Sequence, residues 1–321
     1  MARIALLIGV SEYEPGLNPL PGSALDVEAM HRVLSHPEMG GFAPTDITLL
    51  KNPDRQAMEN AIYQLFENRK KEDLLLLYFS GHGIRDDFGK LYLATKITRK
   101  ENGKLVQPSA VAATVLHERI NTSRSQHQVI ILDCCFSGAI AQGMTVKDAG
   151  TIDLQKQLGG KGRAILTSST ATEYSFGSDF GSESAEHQST GLSVYTRYLV
   201  EGIETGAADG DDDGWIGVDE LHDYAHRRVK EVAPAMTPKF YPVEEGFKIL
   251  LAKSPQNDPV LKYRKEVQKR AEQGEGKLSV FARQLLKGRQ AEWNVAPETA
   301  RAIEDEVLQP YREYAAKLQE Y

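Results

Sequence analysis

Five apolar runs of strand length, Arg3–Val10, Asp46–Leu50, Asp73–Phe79, Gln128–Leu132 and Arg163–Thr167, recur along the chain up to residue 167. Between the early ones, Ala24–Leu34 and Gln56–Arg69 carry apolar residues at helical spacing. Strands that read as nearly unbroken Val, Ile and Leu must be buried on both faces, which helices layered on a parallel sheet achieve. The alternation therefore predicts an α/β domain with a mostly parallel central sheet flanked by helices.

Two of these runs stop at chemically loaded tips, Ser80-Gly81-His82-Gly83 and Asp133-Cys134-Cys135-Phe136-Ser137-Gly138. In open α/β sheets ligands bind beyond the carboxyl ends of the strands, so both tips are expected to face one cleft. A buried cysteine is usually inert. Here Phe136-Ser137-Gly138 reads as a turn that presents a thiol to solvent, and His82 sits between glycines that permit close backbone approach. A cysteine nucleophile needs a base within hydrogen-bond reach, and adjacent strand tips can supply one.

Composition narrows the partners. With 38 Lys and Arg against 45 Asp and Glu, the net charge of −7 opposes a phosphate backbone, and nucleic acid is not an expected partner. The apolar run Ala5–Val10 is far shorter than the ~20 residues of a membrane span, so it reads as a buried strand and no membrane association is expected. The only cysteines, Cys134 and Cys135, are sequence neighbours and make no disulfide framework, which points to a reducing, cytoplasmic compartment.

Leu6-Leu7-Ile8-Gly9-Val10, Leu20-Pro21-Gly22-Ser23-Ala24-Leu25-Asp26-Val27 and the two tips, in that order, make the chain resemble the caspase-like cysteine peptidases of the metacaspase and bacterial orthocaspase type. Weaker matches, Ala164-Ile165-Leu166-Thr167-Ser168 and Thr237-Pro238, extend the likeness to about residue 252. His82 precedes Cys135 by 53 positions, close to the roughly 50 of caspases. The caspase signature around the cysteine is absent; Asp-Cys-Cys-Phe-Ser-Gly is nearer to metacaspases, which usually carry His where Phe136 stands. The resemblance implies a caspase-like fold and a Cys135–His82 dyad. It also implies an oxyanion site at the backbone amides of Gly83 and Cys135. Cys134, on the opposite face of its strand, should be buried.

Caspases that cut after Asp use arginines, one of them in the segment matching Leu17–Asp26, where this chain has none. The positions that resemble the metacaspase specificity pocket are Ser23, Asp26, Ser80 and Asp133. Two carboxylates in a partly desolvated pocket favour a cation, so cleavage after Arg or Lys is expected in protein or peptide substrates. The plainer use of these aspartates is at a helix start and as a turn cap. Relatives often cut themselves between a large part, here about 1–140, and a small part, here about 163–252. The intervening linker, about 139–163, offers Lys147, Lys156, Lys161 and Arg163.

The segment from Asp209 to Glu220 fits a twelve-residue calcium loop, with Asp209, Asp211, Asp213 and Glu220 at ligand positions. Such loops usually pair and a second is missing, so calcium is a tentative ligand and no cofactor is expected to be essential. Many metacaspases take calcium at an acidic cluster after the catalytic histidine, where this chain has only Asp86 and Asp87. His222 and His226 share the spacing of a zinc-peptidase helix, but the residue between them is Asp223 and no third ligand follows, so they read as solvated helix histidines. Further expected elements are a long surface loop over Ala171–Thr190, helices at Leu192–Ile203 and Val218–Val232, and a linker at Ser254–Asp258.

The peptidase domain is thus expected to occupy residues 1–252, followed by a small helical module over 253–321. From Lys253 onward 13 basic residues face 11 acidic ones, a charge shift that supports a separate module. It is expected to dock on a protein partner or on the peptidase domain. Metacaspases are typically monomers, which the resemblance extends to this chain. The alternative function is a catalytically silent caspase-like scaffold that signals through the module.

Overall fold

A computed structural model describes residues 1–134, 162–168, 191–243, 249–255, 259–274 and 276–319. Two compact units divide the chain, Met1–Glu204 with Ala208–Ser254 and Thr205–Ala207 with Pro255–Tyr321.

The first unit opens with β1 (Arg3–Gly9), α1 (Gly22–Ser35), β2 (Ile47–Lys51), α2 (Arg55–Phe66) and β3 (Leu74–Ser80). There follow β4 (Gly83–Arg85), β5 (Leu91–Ala94), the short hairpin β6 (Lys100–Glu101) and β7 (Lys104–Leu105), then β8 (Ala110–Ala112), α3 (Ala113–Thr122) and β9 (His127–Asp133). Beyond lie β10 (Arg163–Thr167), α4 (Val194–Glu204), β11 (Trp215–Gly217), α5 (Val218–Val232), β12 (Lys239–Val243) and β13 (Leu250–Lys253). The central sheet runs β2-β1-β3-β9-β10-β12; the first five strands are parallel and β12 is antiparallel against β10. This is the mostly parallel sheet the apolar runs demanded. The antiparallel edge and the small sheet β4-β5-β8 lay in segments without a strong alternating pattern, and the sequence reading missed them.

Burial follows the two-sided logic. All seven residues of β3 are buried. Leu75, Leu77 and Phe79 share a core with Leu6, Ile8, Ile130 and Leu132, with Met58, Ile62 and Leu65 of α2, and with Leu116 and Ile120 of α3. The alternate residues face the other way, toward the side that carries α1 and α4, where Tyr78 meets Thr196. Each apolar side chain so buried contributes roughly 1.5–3 kcal/mol. Helix α1 packs directly on β1 because Gly9 has no side chain: a Cβ there would stand 2.5 Å from the Ser23 carbonyl oxygen. That close approach brings Ser23 and Asp26 to the carboxyl end of the sheet.

The second unit holds α6 (Pro259–Gln273), α7 (Val280–Glu292) and α8 (Pro297–Gln319) around Tyr263, Val267, Leu286, Ile303 and Leu308. Ser279 caps α7 by accepting from the Ala282 amide at 3.1 Å, and the Tyr263 hydroxyl donates to Glu304 at 2.6 Å.

Candidate active site

The tips of β3 and β9 are register neighbours, Ser80 opposite Asp133, and the Gly81 amide donates to the Asp133 carbonyl at 3.3 Å. Just past this stitch, the His82 amide donates to the Tyr13 hydroxyl at 3.0 Å, and that hydroxyl donates to the Val10 carbonyl at 2.6 Å. The Tyr13 and His82 rings lie 4.8 Å apart, so the tyrosine braces both the backbone and the ring of the histidine. A Cβ on Gly81 would crowd Phe79 at 3.0 Å and the Tyr13 hydroxyl at 3.1 Å, which accounts for glycine in front of the histidine.

The Nε2 atom of His82 lies 2.9 Å from the Asn18 carbonyl oxygen. A carbonyl only accepts, so Nε2 carries the hydrogen and Nδ1 keeps its lone pair. Burial pushes the imidazole pKa below its ordinary value, partly offset by the bond to Asn18. Burial thus favours the neutral form of His82, with its tautomer set by the Asn18 carbonyl. Gly83 begins β4, opposite Leu93. Cys134 is buried at 1% exposure in the core beside Leu132, on the face that strand alternation assigns it. Cys135, Lys147, Lys156, Lys161 and the expected loop 171–190 lie outside the described residues.

The four proposed pocket residues are all buried: Ser23, Asp26, Ser80 and Asp133. Asp26 lies within α1, not at its start. The Asp26 carboxylate accepts from Ser80 Oγ at 2.8 Å and from the Ser193 amide at 2.9 Å. The Asp133 carboxylate accepts from Ser193 Oγ and, at 2.8 Å, from Thr196 Oγ1. Because the Thr196 hydrogen is committed to Asp133, the Tyr78 hydroxyl is the donor in its short contact with Thr196. Ser193 also caps α4, accepting from the Thr196 amide at 3.1 Å. One residue thus ties both acids to the start of a helix 167 positions away from Asp26 in sequence. Burial first, then the charge of Asp133, raise the Asp26 pKa to about 7, while burial raises that of Asp133 against the pull of its hydroxyl donors.

Tyr13, Asn18, Tyr78, Ser193 and Thr196 were not singled out from sequence. A backbone carbonyl leaves no sequence signal, and no spacing rule links Ser193 to acids so distant. Arg163 leaves the set of self-cleavage sites: its side chain is 3% exposed, donates to Asn121 and to the Ile120 carbonyl, and its peptide bonds lie in a strand paired on both sides.

At the acidic turn, Asp209, Asp211 and Asp213 place one carboxylate oxygen each within 4.8 Å of one another. Glu220 does not join them, because its two oxygens accept from the Gly210 and Gly217 amides, both at 2.8 Å. Asp86 accepts from Phe88, Lys90, Tyr92 and Gln107, and Asp87 pairs with Lys104 at 2.8 Å. The reading of His222 as solvated is corrected: it is 6% exposed, stacks on Phe240 at 5.5 Å between ring centroids, and burial pushes its pKa down to about 4. No described helix is long and apolar enough to cross a membrane.

A mostly parallel sheet whose neighbouring tips carry a braced histidine and the start of an Asp-Cys-Cys motif has the architecture of a caspase-like peptidase. A family model described as the caspase domain matches residues 2–249, and the chain belongs to that family of cysteine-type peptidases. It is also similar to metacaspase-7 of Arabidopsis thaliana, 36% identical over 92 residues, which cover 26% of this chain. The match spans 22% of the length of that curated relative.

Proposed function

We propose that the chain is a Cys-His endopeptidase that cleaves after Arg or Lys. The observation that carries the specificity is the buried pair Asp26 and Asp133 beside the tip that holds His82. In the proposed reaction the Cys135 thiol passes its proton to His82 Nδ1 and the thiolate attacks the scissile carbonyl carbon. The amides of Gly83 and Cys135 receive the oxyanion. The imidazolium then gives its proton to the leaving amine as the C–N bond breaks, leaving a thioester. Water, deprotonated by His82, hydrolyses the thioester and restores the thiol. The substrate cation is held by the free lone pairs of the two carboxylates, the planar guanidinium matching them better than an ammonium does.

Steady-state rates on fluorogenic peptides ending in Arg, Lys or Asp test this reading. The Arg and Lys peptides are the expected substrates, with rates the same in calcium and in chelator because no step passes through a metal. Cleavage of the Asp peptide alone would contradict the pocket. The pH dependence is sharper. Below about 7 Asp26 takes up a proton and no longer pairs with the cation, so KM for the Arg peptide should rise as the solution is acidified through neutrality. The kcat limb belongs to His82, whose pKa is depressed, and should fall at lower pH than the KM limb. A flat KM through this window would remove Asp26 from substrate binding.

Self-processing after Lys147, Lys156 or Lys161 is part of the same proposal. Intact-mass measurement of purified wild type should show fragments ending at one of these lysines, while the Cys135→Ala protein stays whole; identical masses would eliminate it. The chain is proposed to act as a monomer, with the helical unit as the element that engages a protein partner.

A further inference from the structure

At the opposite end of the sheet from His82, the segments that lead into β3 and β9 enclose a cleft of about 600 Å³. Its walls carry Arg69, Lys70, Lys71, Arg119 and Arg124, all within a protein of net charge −7. None of the five makes an ion pair among the described residues, although eleven described ion pairs engage other residues of the chain. Concentrated cations repel one another; Glu67 and Glu72 in the lining and Asp73 beside Lys70 offset only part of their charge.

Two of the guanidiniums are already fixed. Arg69 donates through Nε to the Leu65 carbonyl at 2.8 Å and through Nη2 to the Gln64 carbonyl, at the carboxyl end of α2. Arg119 lies over the Tyr63 ring, 4.9 Å from its centroid. Held this way, the planar donors lose little freedom on meeting an anion. The volume is that of a small-molecule site, not of a strand-length groove. Glu67 and Glu72 also line the cleft and turn away a long continuous polyanion, whereas a compact, highly charged one is balanced by the five cations.

We infer that this cleft binds a compact polyphosphate group, as a short inorganic chain such as tripolyphosphate or as the phosphate chain of a nucleotide. The seven residues of β3 separate it from the catalytic tip by roughly 20 Å, so the site is distinct from the substrate pocket.

Calorimetric titration of the full chain, as Cys135→Ala to prevent self-cleavage, with sodium tripolyphosphate and with ATP tests the inference against sulfate at equal ionic strength. Saturable binding of tripolyphosphate or ATP, far tighter than sulfate, is expected. Equal affinity for the two assigns recognition to the phosphates alone, and tighter ATP assigns it to a nucleotide; both support the site. The double variant Lys71→Glu, Arg124→Glu, at exposed positions, should weaken binding at least about tenfold, and with Cys135 present it should hydrolyse peptide at the wild-type rate, showing an intact fold. Titration heats no greater than those of sulfate, or unchanged affinity in the double variant, would overturn the inference.

Discussion

Cys135→Ala is expected to abolish hydrolysis of an Arg peptide, and His82→Ala to lower kcat by about 10²–10⁴-fold with little change in KM. The split between kcat and KM follows from the geometry. His82 touches Asn18 and Tyr13 and stands outside the hydrogen-bonded cluster around Asp26 and Asp133, so its loss leaves the cation site unaltered. In the proposed reaction its contribution is to proton transfer through a lone pair whose orientation is fixed by the Asn18 carbonyl. Equal loss in both parameters would mean that the ring supports the pocket and not the reaction.

The second large effect concerns the acids, and it has opposite signs on activity and stability. Asp26→Asn or Asp133→Asn should lower kcat/KM for the Arg peptide by about 10²–10³-fold, the loss of a desolvated charge-assisted contact. The Asp26 pKa in the folded protein lies above its unfolded value, so its stability contribution is full below the unfolded pKa and fades as pH rises through about 7. An amide does not ionise. Asp26→Asn should therefore match wild type near pH 4 and gain roughly 1–3 kcal/mol by about pH 8. Denaturant titration at both pH values, with rates on the same samples, checks the pair of signs. A variant that is both inactive and destabilised at pH 8 would make Asp26 a structural residue.

Much of this was legible from the sequence because burial on both faces of a parallel sheet leaves unbroken apolar runs. Leu74–Ser80 and His127–Asp133 show it, and their abrupt ends mark the two neighbouring tips. Asp26, Ser80 and Asp133 were singled out by their likeness to a known pocket, and the fold brings them into one hydrogen-bonded cluster with Ser193 and Thr196. What holds them was not. Ser193 reaches both acids only because α4, far along the chain, packs beside α1, and that contact belongs to the tertiary fold. His222 misled for a related reason: its helical spacing says nothing about Phe240, which an antiparallel edge strand lays against it. Arg163 reads as a basic linker residue until β10 pairs on both sides and buries it.

The central claim is that a Cys135 thiolate, activated by His82, acts on the bond after a basic residue. An electrophilic ketone probe bearing Arg, followed by peptide mapping of the adduct by mass spectrometry, tests it most directly. The account predicts a single adduct on Cys135, formed far faster than with the matching Asp probe and slowed in His82→Ala. An adduct on another residue, or equal reaction of the Asp probe, would contradict it.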